Sequence, residues 1–395
     1  TAYFAVAVAY SWPLVLHYDT HLTGDPAGDT GVYAWNLWVF HREVLERHGL
    51  PYFTNAIFSL TGEAANLSLH NYTVFQDLVA LPFISSLGLV TAFNLAQLVS
   101  RILTAWLMFL LARFVTGRTA ESWLAGLVFA WSPVLITRSM GHFSLVAAAP
   151  LAAFLLALLA GSARGRWDWR DALWLGLSLS WATMTDVYYG VFCLMIGALY
   201  LLTRAFTFAP APATSTRALR TIDLTVVLLA VLVGAIATSG GWRFSVAGVH
   251  IGLRGLHTPV LLLSSAIGLR LLWPYRLRWA CARPDLWQTV RMVGSVGAVS
   301  AVLLSPLLYA FVVRVLAGRF DGSTTYWRSS PGGVDLLALL LPNPNHPLAP
   351  ESWRAWLTPS TPDSYFEQVT SLPVIALLTI GLAAVEGWHA PRWWL

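Results

Sequence analysis

The chain alternates long apolar runs with shorter polar segments. Most of the apolar runs approach or exceed the about 20 residues that an α-helix needs to cross a bilayer. The pattern therefore predicts an all-α polytopic membrane protein with about 10–11 transmembrane helices. The predicted helices lie near residues 1–16, 73–90, 92–116, 120–138, 143–161, 172–186, 188–206, 222–239, 257–274, 291–313 and 369–386.

The composition supports a membrane protein. Of the 395 residues, 57% are hydrophobic and 11% are charged, whereas a soluble domain carries about 25% charged residues. All 24 basic residues are arginines. They gather in short loops between apolar runs, where basic residues set topology, and form no stripe along an amphipathic helix. We therefore expect the lipid bilayer as a partner and no nucleic acid.

The arginine distribution predicts an orientation. The arginine-rich loops read as cytoplasmic, and the loops rich in acids and histidines then face the periplasm or the cell exterior of a bacterial inner (plasma) membrane. The cytoplasmic loops are 113–119, 161–171, 204–221 and 275–291, and the external ones are 17–72, 140–143, 186–189 and 315–368. This assignment requires that the run 73–90 does not cross the membrane fully. That run contains Gln76, Asp77 and Pro82, which favours a tilted or half-embedded helix.

A proline-, alanine- and threonine-rich stretch, Ala209–Thr216, predicts a loop between two helical modules. The modules are 1–208, which includes the first external loop, and 209–395. The chain begins without methionine and stops shortly after an apolar run. We therefore expect a further C-terminal part beyond residue 395.

The first external loop holds Asp19, Asp25 and Asp29 close together. Carboxylates beside a membrane segment are costly unless they face water, a metal or a substrate. A solvated acidic loop explains them equally well. The segment 32–47 that follows combines aromatic and charged residues, and it predicts a helix lying in the membrane interface with Trp35 and Trp38 towards lipid.

Two histidines, His70 and His142, are candidate site residues. Each one alone is explained by a position at a helix end. Together with an acidic turn they would suit a phosphate or a metal, because imidazolium binds phosphate and neutral imidazole binds metals. The sequence has no H-x-x-H or H-E-x-x-H spacing, so a preformed zinc site is not expected.

Two charged residues interrupt or border apolar runs. Asp186 reads equally as a functional carboxylate and as the N-cap of the next helix. Arg101 lies inside the run 92–116, where an unpaired guanidinium costs at least ~2.5 kcal/mol. It needs a partner such as Asp77 or a lipid phosphate, unless its side chain extends to the membrane surface.

The second long external loop contains the segment P-N-P-N-H-P. Its compact polar side chains Asn343, Asn345 and His346 suit sugar hydroxyls. Proline-rich turns are also common without any function, so this segment alone indicates little.

These motifs, in this order, resemble the GT-C superfamily of integral membrane glycosyltransferases, and more narrowly a group of bacterial GT-C-like membrane proteins. The resemblance rests on G-D-x-x-x-D followed by N-L-W, the His70 segment, A-W-S-P with G-H-F-S-L, D-V-Y-Y-G, and L-L-P-N-P-N-H-P-L. It implies a GT-C-like helical bundle with interfacial helices in the first external loop. It also implies an inverting enzyme that transfers a hexosyl or pentosyl group from a polyprenyl-phosphate donor to a glycan, lipid or protein acceptor on the external face.

The same resemblance assigns roles. Asp29 best matches the family's first-loop aspartate, a catalytic base or a metal ligand, and Asp25 is the second match. A divalent cation (Mg²⁺ or Mn²⁺) would take these two residues as ligands, although the adjacent acid pair of some family members is absent. The other expected substrate contacts are His70, His142, Arg101, Arg138, Asp186, Asn343, Asn345 and His346.

Two other classes of function stay open. A transporter would use charges near the midplane of the membrane, and Arg101 and Asp77 fit that weakly. A non-catalytic membrane subunit could reuse the same scaffold, because fold does not determine function.

Overall fold

The computed structural model describes residues 2–24, 29–57, 62–210, 216–246, 249–253, 257–273, 275–279, 283–318, 350–352 and 372–387. Within these ranges the protein is mainly helical, in agreement with the predicted all-α class. Three short two-stranded ribbons accompany the helices. The described residues group into two compact units, 1–197 with 288–395, and 198–287.

The N-terminal helices surround the first loop. They are α1 (Ala2–Tyr10), α2 (Thr30–His41), which continues as a π-helical turn over Arg42–Glu46, α3 (Val74–Leu87) and α4 (Leu89–Thr116). A two-residue ribbon, β1 (Phe53–Thr54) with β2 (Ala65–Asn66), closes part of the loop between α2 and α3. The remaining helices of this part are α5 (Thr119–Ala130), α6 (Pro133–Arg138), α7 (Phe143–Val146), α8 (Ala149–Ala163), α9 (Trp169–Thr185) and α10 (Val187–Ala205).

The later elements include two further ribbons. In chain order the elements are β3 (Phe206–Pro210), α11 (Thr216–Ser239), β4 (Trp242–Val246), β5 (Val249–Leu253), α12 (His257–Leu272), β6 (Tyr275–Trp279), α13 (Arg283–Leu303), α14 (Ser305–Leu316) and α15 (Val374–Gly387). β3 pairs with β6 and β4 with β5, both antiparallel. We had interpreted these strand segments as loops.

Among the described residues, five segments are long and apolar enough to cross a membrane by length and composition. They are Leu89–Thr116, Thr119–Arg138, Val187–Ala205, Arg217–Ser239 and Leu286–Leu303. Four further apolar helices are shorter, including α3 and α8. These findings are consistent with a polytopic membrane protein. Within the described residues, the five candidate spans are fewer than the about 10–11 transmembrane helices that the sequence predicted.

Prolines explain where the predicted spans break. The run 1–16 is not one helix, because α1 ends at Tyr10 and a 3-10 turn at Leu14–His17 follows Pro13. The run 120–138 divides into α5 and α6 at Ser132, just before Pro133. A proline lacks the N–H that a helix interior needs but is accommodated in a first turn.

Helix α4 is the centre of the first unit and packs against α1, α2, α3, α5, α7 and α8. One buried cluster around it combines Tyr33 and Leu37 of α2 with Phe93 of α4 and Phe143 of α7. The helix ends at Gly117, whose φ of 71° gives the left-handed conformation that terminates helices.

Helix α3 begins and ends beside the first loop. Asn71, just before α3, bonds to Tyr33 of α2, and Asn94, in the second turn of α4, donates to the carbonyl groups of Tyr18 and His21. The 14 residues of α3 span about 21 Å, less than the about 30 Å of a hydrocarbon core. Both observations favour the interpretation that 73–90 does not cross the membrane.

Candidate functional site

Asp29 stands at the N-terminus of α2, but its side chain does not cap the helix. Its carboxylate instead faces His142, with 3.9 Å between Asp29 Oδ2 and His142 Nε2. Both side chains are partly exposed, 53% for Asp29 and 28% for His142. An aspartate at an N-cap usually accepts a backbone N–H. Here the carboxylate remains accessible, beside an imidazole that can carry a proton.

A tight turn fixes the position of His142. Its backbone N–H donates to the carbonyl of Arg138 at 2.7 Å. Thr23, just ahead of the acidic turn, donates from Oγ1 to the Ser139 carbonyl at 3.4 Å. The predicted external loops 17–72 and 140–143 therefore meet in space.

Tyr33, one turn after Asp29, joins three segments of the chain. Its hydroxyl accepts a hydrogen bond from Asn71 Nδ2 at 2.5 Å and lies 3.1 Å from Ser144 Oγ. The residue is buried, with 1% of its surface exposed. Burial raises the pKa of the Tyr33 hydroxyl, and the nearby carboxylates of Asp186 and Asp29 add to the shift. Tyr33 therefore stays neutral and acts as a fixed link.

His70 is held by α2. Its Nε2 lies 2.8 Å from Asn36 Oδ1, while Asn36 Nδ2 donates to the Asn71 carbonyl at 2.7 Å. Because an amide oxygen only accepts, Nε2 of His70 carries the proton. The ring packs edge-on against Trp35, with centroids 5.9 Å apart. Trp35 thus contacts the protein interior, in contrast to its expected position against lipid, whereas Trp38 is exposed.

Burial lowers the pKa of His70. The ring is therefore neutral near pH 7, which disfavours the expected role of His70 as an imidazolium that binds phosphate. We assign it instead to the polar network of Tyr33, Asn36, Asn71 and Ser144. This network lies along the same face of α2 as Asp29, since residues 29, 33 and 36 are spaced by four and three.

Asp186 caps the following helix. Its Oδ1 accepts the backbone N–H of Tyr188 at 2.8 Å, which matches the N-cap interpretation. The carboxylate is buried and lies near enough to Tyr33 to influence that hydroxyl. Tyr189, in the first turn of α10, donates its hydroxyl to the Leu145 carbonyl. The loops at 140–143 and 186–189 therefore also lie together.

Arg101 is buried between aromatic rings. Its guanidinium carbon lies 5.0 Å from the ring centroid of Tyr10 and 5.9 Å from that of Trp131. Nη1 donates to the Ala130 carbonyl at 2.8 Å. Asp77, the partner suggested by the sequence, forms no ion pair with it.

A cavity of about 650 Å³ opens beside Arg101. It lies between the end of α1, the first loop and α4, and the loop after α6 forms part of its wall. The described residues lining it include Arg101, His17, His21 and Met140. Asp29, His70 and His142 do not line it. The cavity and the Asp29–His142 pair are therefore neighbouring features with separate linings.

Several expected site residues lie outside the described residues. They are Asp25, Asn343, Asn345 and His346. Among the described residues, no group of three His, Cys, Asp or Glu side chains could hold a metal ion. Asp29 and His142 supply one carboxylate and one imidazole. Mg²⁺ is usually held by one or two carboxylates together with water and substrate phosphate oxygens, and Asp25, the other expected ligand, lies outside the described residues.

Asn36, Asn71 and Ser144 were not predicted as site residues. Asn36 carried a detectable signal, because it is a polar residue in an apolar and aromatic run, and the structure buries it completely. Ser144 and Asn71 carried none, since their roles depend on contacts with distant parts of the chain.

Residues 89–275 match a protein family described only as a domain of unknown function, DUF6311. The matched region includes Arg101, Arg138, His142 and Asp186, and it begins after Asp29 and His70. No curated protein and no solved structure matches the chain.

Proposed function

We propose that this protein is a GT-C-type integral membrane glycosyltransferase of the bacterial inner membrane. It transfers a hexosyl or pentosyl group, with inversion, from a polyprenyl-phosphate-linked donor to an acceptor hydroxyl on the external face. The observation that carries the proposal is the 3.9 Å contact between the uncapped carboxylate of Asp29 and the imidazole of His142. A carboxylate that caps no helix and remains accessible is available to take a proton.

In the proposed reaction Asp29 accepts the proton of the acceptor hydroxyl as its oxygen attacks the anomeric carbon. The bond between that carbon and the phosphate oxygen breaks, and the lipid phosphate leaves with the bonding electron pair. His142 lies beside Asp29 and orients it. The charge that develops on the phosphate needs a positive group, and Arg101 and Arg138 are the candidates.

The network around Tyr33 supports this assignment physically. It connects α2 to the segments before α3 and inside α7 through buried hydrogen bonds. A base must be held within direct or one-water reach of the proton it takes. Side-chain networks of this kind fix such positions, because breaking one leaves buried polar groups unpaired.

The test is transfer by purified protein in lipid nanodiscs with a panel of polyprenyl-phosphate sugars. Asp29→Asn preserves the size of the side chain and removes its basicity, so we expect transfer to fall by ~10²–10⁴-fold while donor binding survives. Asp19→Asn is the matched control, because Asp19 is an exposed acid of the same loop. Near-native transfer by Asp29→Asn, alongside active wild-type protein, would reject Asp29 as the base.

A further inference from the structure

The cavity beside Arg101 has the features of a binding site for an anion. Arg101 exposes only 6% of its surface, yet it lies on a helix apolar enough to span a membrane. Among the described residues, no carboxylate lies within 4 Å of the Arg101 guanidinium, so Arg101 forms no ion pair there. A buried, unpaired charge of this kind is costly and is retained where it serves a function.

The guanidinium still has hydrogen-bond donors to offer. It has five N–H groups, and one nitrogen, Nη1, bonds to the Ala130 carbonyl. Arg101 lines the cavity, which offers space for a ligand of the remaining donors. A planar guanidinium donor set matches the oxygens of a phosphate group.

The entrance of the cavity adds to this chemistry. His17 and His21 line it with ring centroids 5.2 Å apart, and both residues are exposed. No acidic residue is among the described residues of the lining. An anion that enters would therefore meet imidazole groups first and the guanidinium afterwards.

The surroundings are apolar enough for a lipid chain. Trp12, which lines the cavity, is 64% exposed, and the neighbouring Leu16 is 60% exposed. Exposed large apolar side chains of this kind are suited to contact with membrane lipid. Asn94 donates to the His21 carbonyl, and Arg101 lies two turns, about 10 Å, further along α4. The polar cavity and the exposed Trp12 and Leu16 together suit a head group with an attached apolar chain.

We propose that this cavity binds the phosphate group of an anionic amphiphile, with Arg101 as its main contact and His17 and His21 at its entrance. Phosphate binding does not depend on the transferase reaction; only the choice of a prenyl chain rests on the proposed function. The wall formed by Gly24 and Met140 adjoins the segments that carry Asp29 and His142. A sugar attached to the bound phosphate on that side would lie next to the proposed base.

The experiment measures binding without transfer. Purified wild-type protein in detergent is incubated with a short photoreactive prenyl phosphate, and the labelled peptides are mapped by mass spectrometry. We expect labelling within residues 7–24 and 94–101. An excess of unlabelled prenyl phosphate should remove it, whereas the corresponding prenol and inorganic phosphate at the same concentration should not. Labelling that the prenol removes equally would overturn a phosphate site, and removal by inorganic phosphate would overturn an amphiphile as the ligand.

Variants identify the contacts. Arg101→Gln should weaken prenyl phosphate binding by at least tenfold, and Arg113→Gln, an exposed arginine of the same helix, should leave it unchanged. Because Arg101→Gln could fail to fold, the exposed double variant His17→Gln/His21→Gln provides a second measurement, with an expected loss of about threefold. Unchanged binding in the double variant and in folded Arg101→Gln would overturn the proposal.

The two proposals can fail separately. If prenyl phosphate binds at Arg101 and Asp29→Asn retains transfer, the phosphate site stands and the assigned base is wrong. If transfer depends on Asp29 but labelling falls outside the cavity, the phosphate site is wrong and the proposed function stands.

Discussion

The imidazole of His70 donates from Nε2 to Oδ1 of Asn36, with 2.8 Å between the two atoms. This bond ties the segment before α3 to the middle of α2. The bond requires a proton on Nε2, which the neutral ring and the charged ring can both supply. Burial lowers the pKa of His70, and this burial connects the stability of the candidate site with pH.

The first prediction concerns that connection. Because the pKa of His70 is lower in the folded state than its unfolded value of about 6.5, the unfolded chain binds more protons at this residue below that pH. The contribution of His70 to the free energy of unfolding is fully present above pH 6.5. It is lost as the pH falls through the lowered pKa of the folded state. The apparent unfolding temperature of wild-type protein should therefore decrease from pH 8 to pH 5 more steeply than that of His70→Gln. The control is His48→Asn, at an exposed histidine with a φ of 52° that asparagine tolerates, and it should keep the wild-type slope.

The second prediction addresses the hydroxyl of Tyr33. Tyr33→Phe leaves Asn71 Nδ2 and Ser144 Oγ without their bonds to the hydroxyl, which should cost about 1–3 kcal/mol. Ser144→Ala removes one of those partners. In a double-mutant cycle the two changes should therefore couple by ~0.5–3 kcal/mol, as expected for residues in one network. Strict additivity, measured by denaturant unfolding, would show that the contact contributes nothing to stability.

Much of the helical framework was predictable because apolar runs and their stop signals are local. The predicted helices 92–116 and 188–206 agree closely with α4 and α10. The interruptions within predicted spans were missed, because mean hydropathy over a long window hides the effect of a single proline. Pro13, Pro133 and Pro306 each lie at or just after the end of a helix inside a predicted span.

The ribbons were missed for a different reason. β6 reads Y-R-L-R-W, with apolar and basic residues alternating at the period of a strand. We interpreted its arginines only as topology signals. The alternation was therefore visible in the sequence, but its antiparallel partner β3, more than 60 residues earlier in the chain, was not.

The candidate site was predictable in part. The contact between Asp29 and His142 joins two residues that the sequence had suggested for one site. The partners of Tyr33 and Arg101 were not predictable, because they depend on how distant helices pack. The predicted modules 1–208 and 209–395, and the side of the membrane on which each loop lies, stay predictions.

The third prediction separates the two interpretations of Asp186. Its Oδ1 accepts the Tyr188 N–H, and an asparagine oxygen can do the same. Asp186→Asn should therefore change the free energy of unfolding by less than about 0.5 kcal/mol, whereas Asp186→Ala should cost ~1 kcal/mol through loss of the cap. Transfer activity of folded Asp186→Asn then reports on the negative charge alone. A large activity loss in this variant would add a functional role to the capping role.

The fourth prediction compares two glycines that both have a positive φ and differ in their surroundings. Gly24 and Gly62 have φ values of 113° and 72°, which side chains rarely adopt. A Cβ at Gly24 would lie 2.3 Å from Thr30 Oγ1 and 2.9 Å from the Met140 carbonyl oxygen, whereas at Gly62 it would meet no atom within 4 Å. Gly62→Ala should therefore cost only backbone strain, about 1–2 kcal/mol, and Gly24→Ala should cost ~1–3 kcal/mol more through overpacking. Because Gly24 contacts both the turn before His142 and the start of α2, its variant should also reduce transfer and prenyl phosphate labelling under conditions where Gly62→Ala retains both. Equal effects of the two substitutions on unfolding and labelling would show that the close approach of Gly24 to Thr30 and Met140 does not organise the site.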